Sequence, residues 1–133
     1  MSSDPSSQAP QISEAEWTVM RSFWRMGEAT SAQIISDLEG KTDWKPKTIQ
    51  TLIGRLVQKG ALTFEKNGRE HRYRAAVDEK TCELEASQSF LDRIFDGKLA
   101  PFLANYVERQ DCSPDELAEL KRILEQKTDG NAD

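Results

Sequence analysis

Residues 46 to 60 restrict the fold of this chain more than any other stretch. Pro46 suits the first turn of a helix, where its missing N–H has no intrahelical partner to lose, and Gly60 suits the position just past the end. Between them Ile49, Leu52, Ile53, Leu56 and Val57 recur at i, i+3, i+4, i+7 and i+8, so one stripe is buried. At ~100° per residue the opposite side presents Lys47, Thr51, Gly54, Arg55 and Gln58, with Thr48 and Gln50 on the flanks near its start. No acid interrupts that surface. A helix face that only meets water ordinarily mixes Glu with Lys at i,i+4 spacing. This one offers cations, hydroxyls and amides, the groups that pair with phosphates and base edges. Gly54 costs about 1 kcal/mol relative to Ala in mid-helix, which fits either a tolerated surface glycine or close approach of a groove wall.

Two shorter helices precede it. Ser13-x-x-Glu16 reads as a capping box, with Ile12 and Trp17 as its hydrophobic staple. Trp17, Met20, Phe23 and Trp24 then form a core stripe that Gly27 ends. Thr30-x-x-Gln33 opens a second helix with Ile34, Ile35 and Leu38 inward and Gly40 at its end. After the third helix, two short runs flank Asn67-Gly68, a strong hairpin signal that predicts a type I′ turn. That register sets Leu62 opposite Tyr73, Phe64 opposite His71 and Thr63 opposite Arg72. It also sets Glu65 opposite Glu70, which is unfavourable and leaves a longer turn open. His71, the single histidine, has no carboxylate or thiolate neighbour in sequence and is read as a packing or phosphate-contact residue.

Three apolar helical patterns complete the chain. The first runs from Thr81 to Phe95 (Leu84, Phe90, Leu91, Ile94, Phe95), and the second from Leu99 to Val107 (Phe102, Leu103, Tyr106). The third follows Ser113-Pro114-x-Glu116 and carries Leu117, Leu120, Ile123 and Leu124. Three helices of this size bury too little alone, since below ~70–80 residues a single core supplies little net stability. A second copy, with two-fold symmetry as the default, or a fold-back on the N-terminal region would supply the rest; the homodimer is the reading adopted.

Charge follows the same division. The whole chain sums to −5, but residues 1–76 hold 11 basic and 9 acidic side chains, and residues 77–133 hold 7 and 14. From Lys41 to Arg74 there are nine basic residues (Lys41, Lys45, Lys47, Arg55, Lys59, Lys66, Arg69, Arg72, Arg74) against three acidic ones. That is the local footprint expected for a polyanion. No apolar run reaches the ~20 residues of a membrane span, so no membrane insertion is expected and the chain is assigned to the cytoplasm. Cys82 and Cys112 lack ligand spacing, and no metal or other cofactor is expected. An enzyme would need a nucleophile with its base, paired acids, a metal cluster or a Gly-rich phosphate loop, and the sequence presents none of these constellations.

The expected fold is therefore mostly α with a small β-ribbon: a winged helix-turn-helix domain over 12–77 and a helical dimerisation domain over 78–127. Tails at 1–11 and 128–133 are expected to be disordered. In that arrangement the third helix enters the major groove of double-stranded DNA and the ribbon lies along the backbone. Lys45, Lys47, Lys66, Arg69, Arg72 and Arg74 would neutralise phosphates. Gln50 would pair with adenine, Arg55 with guanine or phosphate, and the Thr48 and Thr51 methyls would touch thymine. Two or three such contacts are too weak for genomic specificity in one half-site, and a dimer supplies the second. Its expected interface is Phe90, Leu91, Ile94, Phe95, Phe102, Leu103, Tyr106, Leu117, Leu120 and Leu124. A winged helix can also serve purely as a protein-interaction module, and the acid-free face weighs toward DNA.

The stretches ISEAEWTVMRSFW, DWKPKTIQTLIGRLVQKGAL and YVERQDCSPDELAELKRILEQK resemble the penicillinase and methicillin-resistance repressor family (BlaI/MecI type, related to CopY repressors) from Ile12 to Lys127. The most specific part is Trp44-x-Pro46-Lys47-Thr48-Ile49-x-Thr51-Leu52. The resemblance implies a dimeric winged-helix repressor of operators with TACA/TGTA-like half-sites, with Lys47, Thr48, Gln50, Thr51 and Arg55 at the recognition-helix contact positions. It further implies release by a β-lactam-responsive membrane sensor-protease that cuts an Asn-Phe bond. The matching position here is Asn105-Tyr106, where Tyr replaces Phe. The chain lacks the C-terminal cysteine cluster of the copper-responsive relatives, which disfavours induction by copper.

Overall fold

The computed structural model describes residues 10–130. Of the expected tail at 1–11, residues 1–9 lie outside that range, as do the last three residues; Gln11 is tied to the fold, its carbonyl accepting from Lys59 Nζ at 2.8 Å. The elements run α1 (Glu14–Met26), β1 (Glu28–Ala29), α2 (Ser31–Leu38), α3 (Pro46–Gln58), β2 (Leu62–Asn67), β3 (Glu70–Ala75), α4 (Glu79–Phe95), α5 (Leu99–Arg109) and α6 (Pro114–Gly130). The mostly helical chain with a small antiparallel sheet matches the fold class read from the sequence.

Both capping boxes form in full. Ser13 Oγ accepts from Glu16 N at 3.2 Å while Glu16 Oε1 accepts from Ser13 N at 2.9 Å, and Thr30 and Gln33 repeat the exchange at 3.2 and 2.8 Å. At the end of α3, Gly60 N donates to Val57 O at 3.0 Å and Ala61 N to Leu56 O at 2.9 Å, a Schellman closure. Gly60 adopts the φ of +84° that this closure requires, a value that glycine reaches without steric cost.

The sheet has the order β1-β3-β2, and the two-residue strand β1 was not visible in the sequence. The hairpin register is a correction. Leu62 pairs with Ala75, Thr63 with Arg74, Phe64 with Tyr73 and Glu65 with Arg72, so the two loop residues are Gly68 and Arg69, not Asn67 and Gly68. Gly68 takes φ +70° and Arg69 does not follow it to positive φ, the pattern of a type II′ rather than a type I′ turn. The slip removes the Glu65–Glu70 clash by placing Arg72 opposite Glu65. Because it is two residues and the side-chain period is two, every side chain keeps its expected face.

The chain divides into two compact units after Gln88, within α4. In the first, Val19, Met20 and Phe23 from α1, Ile34 and Leu38 from α2, Ile49, Leu52, Ile53 and Leu56 from α3, and Ala29, Ala61 and Leu62 form one buried core. Two ion-pair clusters clamp its helices. Glu16, 2% exposed, accepts from Lys59 Nζ at 2.5 Å, tying the start of α1 to the residue after α3. Burial raises the Glu16 pKa, but the Lys59 ammonium and the Ser13 backbone N–H outweigh it, and the net lies below the ordinary value. Asp37 on α2 accepts from Ser22 Oγ at 2.7 Å, from Arg25, and from Lys41 at 3.4 Å. The Ser22 hydroxyl first, and the Arg25 guanidinium next, hold its carboxyl at about 2.

The second unit, Ser89–Asp133, is built differently. Phe90, Phe95, Phe102 and Tyr106 stack along α4 and α5 with ring centroids 5.4–5.9 Å apart, yet no side chain of α5 or α6 is buried. The segment 128–130, expected as tail, continues α6 through Thr128, whose hydroxyl donates to Leu124 O at 2.9 Å.

Candidate nucleic-acid interface

The buried stripe of α3 is Ile49, Leu52, Ile53 and Leu56. Packing this stripe into the core turns the other side out, and Lys45, Lys47, Thr48, Gln50, Thr51, Gly54, Arg55 and Gln58 are all exposed. Lys45 is the N-cap and its side chain makes no cap bond; Pro46 has no N–H, and Thr48 N donates to Lys45 O at 2.9 Å. That end of the helix carries the positive pole of its dipole together with Lys45 and Lys47. Thr51 Oγ1 donates to Lys47 O at 3.0 Å. Its proton is thereby committed to the helix, leaving the methyl and the oxygen lone pairs for a partner. A Cβ built on Gly54 meets nothing within 4 Å, so nothing in the folded chain requires glycine there.

The sheet sorts its residues by face. Leu62, Phe64, His71 and Tyr73 share one face with buried Ala29. Phe64 stacks on the His71 imidazole at 4.6 Å and 17°, which makes His71 a ribbon-packing residue. The other face carries a charge ladder. Arg72 donates toward Glu28 at 3.4 Å and Arg74 pairs with Glu65 at 3.5 Å. Lys66 and Arg69, at the tip, are exposed.

Among the nine basic side chains between Lys41 and Arg74, the structure thus makes a distinction that charge counting cannot. Lys41, Lys59, Arg72 and Arg74 each face a carboxylate within the unit. Lys45, Lys47, Arg55, Lys66 and Arg69 form no ion pair among the described residues, and they lie on the outer face of α3 or at the hairpin tip. Of the sequence-derived phosphate set, Arg72 and Arg74 are therefore already partly compensated. Their partners Glu28 and Glu65 were missed because Glu28 is 44 positions from Arg72, and β1 is too short to leave a pattern.

The interface residues proposed for the second unit are gathered there. Phe90, Ile94, Tyr106 and Leu124 are exposed, Leu117 is also exposed, and Leu91, Phe95, Phe102, Leu103 and Leu120 are half-buried. Asn105 and Tyr106 lie inside α5, both exposed, beside a cavity of about 240 Å³ also lined by Phe90, Ile94 and Phe102. Among the described residues no group of three or more His, Cys, Asp or Glu is placed to hold a metal, and no helix is long and apolar enough to cross a membrane.

The model of the penicillinase repressor family matches residues 12–126. The methicillin resistance regulatory protein MecI of Staphylococcus aureus (strain N315) is 37% identical over 117 residues, covering 88% of this chain and 95% of its own length. The penicillinase repressor of Bacillus licheniformis is 39% identical over 117 residues, 88% of this chain and 91% of its own. Among solved structures, the DNA-binding domain of the repressor BlaI superposes with a TM-score of 0.51 at 40% identity, over 56% of this chain and 90% of that domain. The Bacillus licheniformis BlaI monomer in complex with the blaP half-operator gives 0.50 at 40% identity, with the same coverage. Both aligned regions are winged helices of the kind built here by α1–α3 and the hairpin. The chain belongs to the penicillinase repressor family, a family of transcriptional repressors and not of enzymes.

Proposed function

We propose that this protein is a homodimeric repressor of palindromic double-stranded DNA operators with TACA/TGTA-type half-sites. The observation that carries the reading is the sorting of cations: of the nine basic side chains between Lys41 and Arg74, the five that form no ion pair among the described residues lie on the outer side of α3 and at the hairpin tip. The solved complex of BlaI with a half-operator supports it, since that protein shares 40% identity across the winged helix.

In this mechanism α3 enters the major groove. Lys45 and Lys47, with the dipole of the helix start, hold the phosphates that flank the groove, and Lys66 and Arg69 hold those under the wing. Gln50 reads adenine through its amide, the Thr48 and Thr51 methyls meet thymine, and Arg55 takes guanine or a phosphate. Arg72 and Arg74 serve mainly to shape the wing. Each bidentate base contact discriminates by about 1–3 kcal/mol, so specificity needs two half-sites read together. The second unit supplies the pairing in this reading: its apolar side chains are left uncovered within one chain, and a second copy is the occupant proposed to cover them. The interface comprises Phe90, Leu91, Ile94, Phe95, Phe102, Leu103, Tyr106, Leu117, Leu120 and Leu124.

Release follows from cutting between Asn105 and Tyr106 by a membrane sensor-protease that responds to a β-lactam-type signal. The bond lies within α5, so a protease must first unwind that helix. The cut then detaches Tyr106, Val107 and α6 from the dimerisation unit. Antibiotic resistance is the regulated trait in this reading, in keeping with the names of the two relatives above.

Gel-shift titration on a TACA/TGTA palindrome tests the DNA half of the proposal. Lys47→Ala and Arg55→Ala weaken binding about tenfold or more, Arg72→Ala does so by less, and added salt weakens all of them. Salt-independent behaviour with unchanged affinity in Lys47→Ala would identify a protein-interaction module instead.

A further inference from the structure

Asn67 and Gly68 do not together form the hairpin loop, and the DNA-reading side chains leave their chemistry unused. Asn67 ends β2 opposite Glu70, Gly68 opens the turn, and both are exposed. The Gly68 N–H donates to no acceptor among the described residues, and the Asn67 side-chain amide makes no hydrogen bond among them. A Cβ built on Gly68 meets nothing within 4 Å, so nothing beyond its chain neighbours crowds that nitrogen. An asparagine amide beside such an N–H can close on it. The Gly68 nitrogen attacks Cγ of Asn67, the new N–Cγ bond completes a succinimide ring, the Cγ–Nδ2 bond breaks, and ammonia leaves with the proton given up by Gly68. Water then opens the ring. Hydrolysis of the N–Cγ bond leaves an aspartyl residue, and hydrolysis at the main-chain carbonyl leaves an isoaspartyl residue whose backbone runs through the former side chain. Either product carries a carboxylate where a neutral amide stood. Other Asn and Asp-Gly positions among the described residues lack a free N–H: Asn105 and Asp129 lie within α5 and α6, where the next N–H belongs to the helix ladder. Gly97, which follows Asp96, donates its N–H to Leu91 O at 2.8 Å.

We propose that Asn67 is a self-modifying site: it deamidates through the Gly68 nitrogen, and the carboxylate so formed loosens the wing from DNA, releasing an ageing repressor without a protease. The proposal rests on the DNA-binding reading above. The new charge stands in sequence between Lys66 and Arg69, the tip cations that form no ion pair among the described residues, and competes with a phosphate for them. It also faces Glu70 directly across the ribbon, and like charges at opposed positions are unfavourable. The isoaspartyl form adds a main-chain atom just before the turn and so disrupts the pairing of residue 67 with Glu70. None of this touches α3, so what is lost is phosphate affinity and not base preference.

The test holds the full chain at mildly alkaline pH for days. Samples are taken for fragment mass mapping, isoaspartyl methyltransferase labelling, and gel-shift titration on a single half-operator at several salt concentrations. Asn67→Gln keeps an amide but sets its carbonyl carbon one bond farther from the Gly68 nitrogen, and Asn67→Asp carries the product's charge from the outset. Acid forms at position 67 of the parent well before position 105, and not at position 67 of Asn67→Gln. Half-operator affinity of the aged parent falls about three- to tenfold at low salt and its salt slope by about one, both approaching Asn67→Asp, while the ranking of half-site sequences is unchanged. Asn67→Gln keeps its initial affinity throughout. If ageing lowers the melting temperature enough to confuse the titration, fresh Asn67→Asp decides. Conversion at position 67 no faster than at Asn105 overturns the proposal, as does Asn67→Asp binding with the affinity and salt slope of the fresh parent. A fresh parent that does not bind the half-operator overturns the DNA-binding reading itself, a result that mass mapping keeps separate from the chemistry at Asn67.

Discussion

In the N-terminal unit Met20, Phe23, Ile34 and Leu56 are wholly inaccessible, whereas in the C-terminal unit Phe90, Ile94, Tyr106 and Leu124 remain 39–59% exposed. The two regions are comparably rich in apolar side chains, so composition does not explain the difference. Enclosure does. Three helices and a sheet surround an interior, and the capping boxes and the Glu16–Lys59 and Asp37 clusters lock them around it. Three helices linked by short turns have one apolar side facing nothing of their own. Burial is worth about 25 cal/mol per Å² only where the surface is removed from water, so on the proposed dimer the second region would gain its stability from a second copy. On the proposed reading the two regions have different tasks: one is complete and reads, the other is incomplete and pairs.

The strongest way to break that contrast is to charge the uncovered face. Leu124→Glu is expected to turn the proposed dimer into a monomer in sedimentation equilibrium and to lower operator affinity about 10²–10⁴-fold, while half-operator binding is unaffected. A dimer that survives Leu124→Glu and a second charge at Ile94 would mean that α4 and α6 do not carry the contact. On the other side of the comparison, Phe23→Ala removes the largest wholly buried side chain and costs about 3–5 kcal/mol in urea unfolding, independent of protein concentration. On the proposed dimer the equivalent truncation at Phe90 is expected to be concentration-dependent, because its burial would come with association.

Acid sharpens the picture of how the first unit is locked. The Asp37 carboxyl is lowered from its ordinary 3.8 to about 2 by Ser22, Arg25 and Lys41. The folded state therefore favours the charged form. Its contribution is complete above about pH 4 and disappears as pH falls through 2, and Glu16 acts in the same sense. Asp37→Ala is expected to lower stability by about 1–2 kcal/mol at pH 7 and to remove part of the acid-dependent loss, measured as urea midpoints between pH 7 and 2. The smallest effect separates folding from reading at one position. Gly54→Ala should stabilise the free protein by about 0.5–1 kcal/mol, because open space surrounds the new methyl, and weaken operator binding if α3 seats deeply. Unchanged affinity would show that Gly54 plays no part in the approach to the groove.

Much of this was legible in the letters. The Ser13–Glu16 and Thr30–Gln33 boxes and the stops at Gly27 and Gly60 are recognised by groups three or four residues away, and all formed as expected. The acid-free face of α3 follows from a helix period alone. The hairpin shows where such reasoning fails. Asn67-Gly68 is locally the better turn signal, but the cross-strand pairing of Glu65 with Arg72 favoured Gly68-Arg69. Likewise the nine cations between Lys41 and Arg74 look alike in sequence. Their division into paired and unpaired sets depends on Glu16 and Glu28, some forty positions from Lys59 and Arg72.

What the sequence determined by itself was every helix of the winged domain, the faces that α2 and α3 bury, and the charge that α3 turns outward. These depend on spacing and on neighbours within a turn of helix. On α1 it found Met20 and Phe23 but not buried Val19 and Glu16, and its Trp17 and Trp24 are only half-buried. Tertiary structure alone decided the strand register, which arginines are already compensated, the Trp24–Val77 hydrogen bond, and the lack of any buried side chain on α5 and α6. Those features arise from contacts between residues far apart in the chain, whose energies exist only after the backbone has brought them together.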